Sequence, residues 1–150
     1  MIGKHHKGAL LTLVDRKSLY VHIVHLGPTR ASSKTMSCAL DRLRMSHAYS
    51  VTFDNGKEFA EHKRISDVGI DTYFADPYKS IQRARNENTN GLIRHEEHCS
   101  VKPKSSSFDD VSNEQIEQIE FALNHRPRKT LGWYTPSEVM AGFYTVALAA

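Results

Sequence analysis

The apolar residues of this chain come in short blocks whose spacing changes along the sequence. Ala9–Val14 is almost continuously apolar, the pattern of a strand buried on both faces. The polar stretch Asp15-Arg16-Lys17-Ser18 follows. Leu19–Leu26 then places Leu19, Val21 and Ile23 on one face, which predicts a hairpin with the first run. Behind a serine cap at Ser32 or Ser33 the period lengthens. Met36, Ala39, Leu40 and Leu43 share one side of a predicted helix, and Lys34, Asp41, Arg42 and Arg44 occupy the other. Tyr49–Asp54 reads as the next strand, with Gly56 permitting a sharp exit from it. Lys57–Ser66 reads as a short helix broken at Gly69, and Ile70–Ala75 as a strand ended by Pro77. A helix is predicted over Lys79–Arg94 and a polar loop over His95–Ser107. Ser112 with Gln115 has capping-box spacing ahead of Ile116, Ile119 and Leu123. Thr135-Pro136-Ser137-Glu138 repeats that helix-start chemistry. Met1-Ile2-Gly3 reads as the end of a strand, too short to hold a place in a sheet alone. This order of elements predicts an α/β fold, a mixed sheet with helices on its faces.

Composition narrows this only slightly. A length of 150 residues, 39% apolar and 25% charged, suits one globular domain. The net charge of +3 and a pI near 8.9 suit an anionic partner without requiring one. Cys38 and Cys99 are too few for a disulfide framework and are expected as unpaired thiols in a reducing cytoplasm. No signal peptide is expected, and the apolar tail Ala141–Ala150 is too short to span a bilayer. His5, His6, His95, His98 and Cys99 fit no paired zinc spacing.

Two acids stand out by position. Asp54 ends a predicted strand at an Asp-Asn-Gly turn, and Glu87 lies on the predicted helix among amides and arginines. The separation, 87 − 54 = 33 residues, leaves room for a strand–helix–strand excursion that returns Glu87 to the strand tip. Converging carboxylates are the ligands that a hard divalent cation takes in phosphoryl chemistry. Each has a plainer reading, Asp54 as a turn residue and Glu87 as a helix-surface acid. Arg83, Glu87, Asn90 and Arg94 form one helical stripe. Asn86, Asn88 and Asn90 are poor helix formers, readable as a solvated helix or as amides that reach DNA. Arg126, Arg128 and Lys129 make a basic turn, either solvated or in contact with phosphates, and Lys57 beside the acidic turn is similar. Trp133 and Tyr134 read as packing residues near the last helix rather than a base-stacking platform.

Four segments taken together, Thr52-Phe53-Asp54-Asn55-Gly56-Lys57-Glu58-Phe59, Tyr73–Tyr78, Asn86–Leu92 and Asn124–Gly132, closely resemble the catalytic core of bacterial insertion-sequence transposases of the family numbered thirty. The resemblance covers about residues 3 to 142. It implies a ribonuclease H-like fold, shared with retroviral integrases, and an Asp, Asp, Glu triad holding two Mg²⁺ ions, with Mn²⁺ as a substitute. By resemblance Asp54 matches the second acid and Glu87 the third. The first acid falls just before the residues matching Ile2-Gly3-Lys4, and Asp15, in the hairpin turn, is not its counterpart. The resemblance therefore implies a core over residues 1–142 with its first central strand largely missing, and a tail over residues 143–150. It also implies a marginally stable chain.

The implied function is Mg²⁺-dependent phosphodiester hydrolysis and strand transfer, in a truncated and inactive copy. The alternative is a non-catalytic DNA-binding or subunit-interacting remnant. Implied DNA contacts are Lys57, Arg83, Asn86, Asn90, Arg94, Arg126, Arg128 and Lys129. Transposon ends and target DNA are the implied partners, with self-association, no membrane and a cytoplasmic location. Ile81, Ala84, Arg85 and His95–Lys104 depart from the family's usual residues. A general ribonuclease H-type nuclease shares fold and metals, but the Arg126–Gly132 motif speaks against it.

Overall fold

A computed structural model of the chain describes residues 8–27, 32–76, 88–93 and 111–142. The two apolar runs pair as an antiparallel hairpin, β1 (Ala9–Val14) and β2 (Val21–Gly27), with Leu11 opposite Val24 and Val14 opposite Val21. The helix α1 (Ser32–Met45) follows, then strand β3 (Ser50–Phe53). A single 3-10 turn (Lys57–Phe59) and the short helix α2 (Lys63–Ser66) lead to β4 (Asp71–Phe74), which pairs parallel to β3. Residues 88–93 are helical. The helices α3 (Asn113–His125) and α4 (Pro136–Met140) complete the described fold, joined through a 3-10 turn at Lys129–Leu131.

The predicted periodicities reappear as layers. Ala9 and Leu11 face one way and pack with Leu26, with Met36, Ala39 and Leu43 of α1, and with Val51, Phe53, Ile65 and Ile70. Leu10 faces the other way, with Val21 and Ile23, against Ile93, Ile116, Ile119 and Leu123. A strand covered on both faces has no need of alternating polar positions, so β1 is a continuous apolar run. The buried stripe of α1 shares one apolar cluster with both strand pairs, through Ala9 and Leu11 of β1 and Val51 and Phe53 of β3.

Both capping boxes form as the spacing predicts. Ser112 Oγ accepts from the Gln115 N–H and the Gln115 side chain accepts from the Ser112 N–H. Thr135 and Glu138 do the same, with Pro136 opening α4. Gly69 takes the left-handed conformation at φ +84° that stops the segment after α2.

Among the described residues the strands form two separate two-stranded sheets, β1–β2 and β3–β4. A cavity of about 750 Å³ lies between them, lined along its length by Ala9–Val14 on one side and Ser50–Asp54 on the other. Arg16 reaches across from the hairpin turn to donate to Thr52 Oγ1 at 3.2 Å. Met1-Ile2-Gly3, expected as the end of a first central strand, falls outside the described residues. Residues 1–7 and the tail at 143–150 lie outside the described residues.

Candidate functional site

Asp54 stands at the carboxyl end of β3, on the lip of the large cavity, with its side chain exposed. Three contacts fix the turn that carries it. Asp54 Oδ1 accepts the Gly56 N–H at 3.2 Å. Asn55 Nδ2 donates to Ala75 O at 3.1 Å, tying the tip of β3 to the tip of β4. Phe59 folds back so that its ring stacks on Phe53, with centroids 4.7 Å apart. Gly56 has φ −71° and ψ 140°, an extended conformation open to any residue. The sharp exit therefore does not use glycine's conformational freedom; the aromatic pair and the carboxylate hydrogen bond form the turn. Lys57 opens the 3-10 turn and is exposed.

The helical segment 88–93 delivers the second side of the site. Ile93 is fully buried against the hairpin and anchors it. Asn90 lines the same cavity as Asp54, and its Oδ1 accepts from Thr12 Oγ1 of β1 at 3.2 Å. Glu87, Arg83, Asn86 and Arg94 lie outside the described residues. Asn90 follows Glu87 by three positions in the sequence. Among the described residues no group of three His, Cys, Asp or Glu side chains could hold a metal ion. Asp54 offers an exposed hard oxygen donor, which fits one ligand of a divalent cation but not a full set.

Asp15 also borders the cavity but is committed to the hairpin turn. Its Oδ1 accepts from the Ser18 N–H at 2.6 Å, Ser18 Oγ at 2.7 Å and the Lys17 N–H at 3.0 Å. Burial pushes its carboxyl pKa up, but these donors outweigh that and hold it below the ordinary value. Such a carboxylate is a turn anchor, in keeping with the reading that it does not replace the first acid.

The basic loop lies close by. Arg128, Lys129 and Thr130 line a cleft of about 200 Å³ together with Asn88 and Thr89, the two residues that follow Glu87. Arg126 and Lys129 are exposed. Arg128 is half-buried and donates to Leu123 O at 3.1 Å, so it also closes the end of α3. Trp133, expected to pack, is 69% exposed. The apolar contacts near α4 are made instead by Pro136 and Val139, both buried. Sequence reasoning also missed the Thr12–Asn90 contact, because nothing local marks two polar residues 78 positions apart as neighbours. No helix among the described residues is long and apolar enough to cross a membrane.

Comparison with known proteins gives this arrangement a lineage. No family model matches the chain. The transposase for insertion sequence element IS4351 of Bacteroides fragilis is 45% identical over 141 residues, 92% of this chain and 41% of that one. The InsI transposase for insertion sequence element IS30A of Escherichia coli strain K12 is 37% identical over 134 residues, 87% of this chain and 34% of that one. The chain thus spans about two fifths or less of the length of these relatives.

In structure it matches the catalytic core domain of BIV integrase with a TM-score of 0.69 at 18% identity, covering 94% of this chain and 90% of that one. A chain of the simian T-cell lymphotropic virus intasome, solved in complex with PP2A regulatory subunit B56 gamma, matches with a TM-score of 0.68 at 18% identity. That match covers 100% of this chain and 58% of the other. Over some nine tenths of its length this chain is a relative of the bacterial insertion-sequence transposases, built on the fold of the integrase catalytic core.

Proposed function

We propose that this chain is the catalytic-core segment of an insertion-sequence transposase, with Asp54 and Glu87 as its metal-holding carboxylates. The observation that carries the reading is that Asp54 and Asn90, three residues beyond Glu87, open onto one cavity between the two strand pairs. Mg²⁺, or Mn²⁺ in its place, supplies charge neutralisation at a phosphodiester and a more acidic bound water or hydroxyl. Asp54 is held at the strand tip by its turn, so its exposed carboxylate is preorganised as a ligand. Lys57, Arg126 and Lys129 contribute cations that hold the DNA backbone, and Arg83, Asn86, Asn90, Arg94 and Arg128 complete the proposed contact set. Transposon ends and target DNA are the proposed substrates, in the cytoplasm, with self-association on the DNA.

The test is strand transfer of an end-labelled duplex carrying the element's terminal sequence, with Mg²⁺ or Mn²⁺. Product from the wild-type chain, lost in Asp54→Asn and Glu87→Gln, supports the catalytic reading. A second reading, a DNA-binding module without catalysis, is favoured by the commitment of Asp15 to its turn. Metal-independent DNA binding with no product under either metal selects it.

A further inference from the structure

We propose that Trp133 is a stacking platform for an unpaired base of the bound DNA strand, an inference that rests on the DNA reading above. The indole is 69% exposed at the end of the basic loop. Its backbone is nevertheless tightly held. The Trp133 N–H donates to Arg128 O at 3.0 Å, and the Arg128 N–H donates to Tyr134 O at 3.0 Å, so the two ends of the loop clamp each other. Within the clamp, Leu131 donates to Arg128 O and Gly132 to Lys129 O. Gly132 and Trp133 are both left-handed, at φ +66° and +71°. That conformation is natural for glycine and strained for a bulky aromatic residue. Strain of this kind persists where the surroundings over-determine it, and it concentrates at ligand-gripping sites. Here it holds a large aromatic face out in water rather than in the core.

The surroundings select the ligand class. Residues 126–137 contain Arg126, Arg128 and Lys129 and no acid. An aromatic face beside cations suits a base attached to a phosphate backbone, and stacking on it tolerates any sequence. A stacked duplex has no free base face to offer, so the ligand is an unpaired nucleotide, such as one frayed at a strand end. The loop also shares a cleft with Asn88 and Thr89, next in sequence to Glu87. A base held on Trp133 would lie at the end of the loop whose Arg128, Lys129 and Thr130 line that cleft.

Trp133 is the only tryptophan of the chain, so its emission reports on this one side chain. The experiment titrates the full chain with a dye-labelled duplex ending in a three-thymine overhang, and with the same duplex carrying abasic overhang sites. Anisotropy reads binding, and tryptophan emission reads stacking. The expected result is quenching by the thymine overhang alone, with Trp133→Ala weakening binding of that DNA by about tenfold. Trp133→Ala should leave the abasic duplex unchanged, and Trp133→Phe should recover most of the affinity. Circular dichroism of both variants checks that an exposed substitution leaves the fold intact. Binding without quenching, or an equal loss on both DNAs, overturns the stacking role while leaving DNA binding in place. No anisotropy change with either DNA overturns both readings.

Discussion

The side-chain amide of Asn124 pairs with both backbone groups of Val21. Asn124 Oδ1 accepts the Val21 N–H at 2.8 Å, and Asn124 Nδ2 donates to Val21 O at 2.8 Å. One turn earlier on α3, Glu120 Oε2 accepts the Ile23 N–H at 2.8 Å. Side chains of α3 thus stand in for a neighbouring strand along the outer edge of β2, removing an open template for edge pairing. Asn124 is 1% exposed, so either backbone group loses its partner without water to replace it. Asn124→Ala should cost about 2–6 kcal/mol, the sum of two unsatisfied buried groups, read as a lower urea midpoint at unchanged slope. Asn124→Asp should also destabilise, because it loses the donor to Val21 O and buries a charge.

Glu120 gives the same edge a dependence on pH. Burial pushes its carboxyl pKa up, but His22, the Ile23 N–H and Arg42 together outweigh that and hold it below the ordinary value. The Arg42 contact is long, at 3.9 Å, and the His22 contact is 3.5 Å. A depressed carboxylate pKa stabilises the folded state above the unfolded pKa, and that contribution disappears as pH falls through the folded value. Glu120→Gln should therefore be less stable than wild type at pH 7, by about 1 kcal/mol. The gap should shrink as pH drops below about 4.3, the ordinary glutamate value. Urea unfolding of both proteins at pH 7, 5 and 3 tests the sign.

Such pairings show where the sequence was readable. Capping boxes at Ser112–Gln115 and Thr135–Glu138 are local chemistry over three residues, and both form. The apolar stripes of α1 and α3 were legible because helical spacing alone decides which side is buried. Asn124 was legible only as part of a basic turn, because its partner lies 103 positions away. Gly56 invited an argument from backbone freedom that its extended φ does not use. Trp133 was misread because a large apolar residue is ordinarily core, and the left-handed pair that turns it outward depends on a hydrogen-bonded loop closure with no local signature. Asp54 was found correctly at a strand tip, since a carboxylate beside Asn-Gly after an apolar run can be read locally. Its convergence with Glu87 is a tertiary property and stays a proposal.

The turn that carries Asp54 should be sensitive to the ring behind it. Phe53 is 3% exposed and stacks on Phe59, with Phe74 at 6.1 Å. Phe59→Leu keeps apolar volume but loses the stacked face, at a cost of about 0.5–1.5 kcal/mol. Its effect on the proposed site should exceed its effect on stability. Strand transfer, or Mg²⁺-dependent DNA binding if no product forms, should fall by tenfold or more while the urea midpoint moves little. A variant with unchanged metal dependence would show that the aromatic pair does not position Asp54.

The strand pairs flanking the large cavity bear on stability as a whole. Of the hairpin's two edges, β2's is closed by side chains of α3, and the residues of β1 line the large cavity. Two-stranded sheets are marginal by themselves and depend on what covers them. The 150-residue chain should therefore unfold below 50 °C, with a broad transition and a tendency to aggregate. A sharp, reversible calorimetric transition above that temperature would show that the cavity carries no such weakness.

Asp54 and the exposed lysines should separate metal-dependent from metal-independent DNA affinity. An unneutralised carboxylate at the site repels phosphate, so Mg²⁺ should raise wild-type affinity, and Asp54→Asn should bind more tightly than wild type in EDTA and gain little from the metal. Lys57→Ala and Lys129→Ala should instead weaken binding to all DNA sequences about equally. Each should also flatten the dependence of log affinity on log salt concentration by about one unit. These lysines are exposed, and burying no charge means that their loss leaves the fold unchanged. Anisotropy titrations between about 50 and 200 mM salt, over which log affinity falls linearly with log salt concentration, read both effects. A salt slope unmoved by either lysine substitution would place the phosphate path on another face of the molecule.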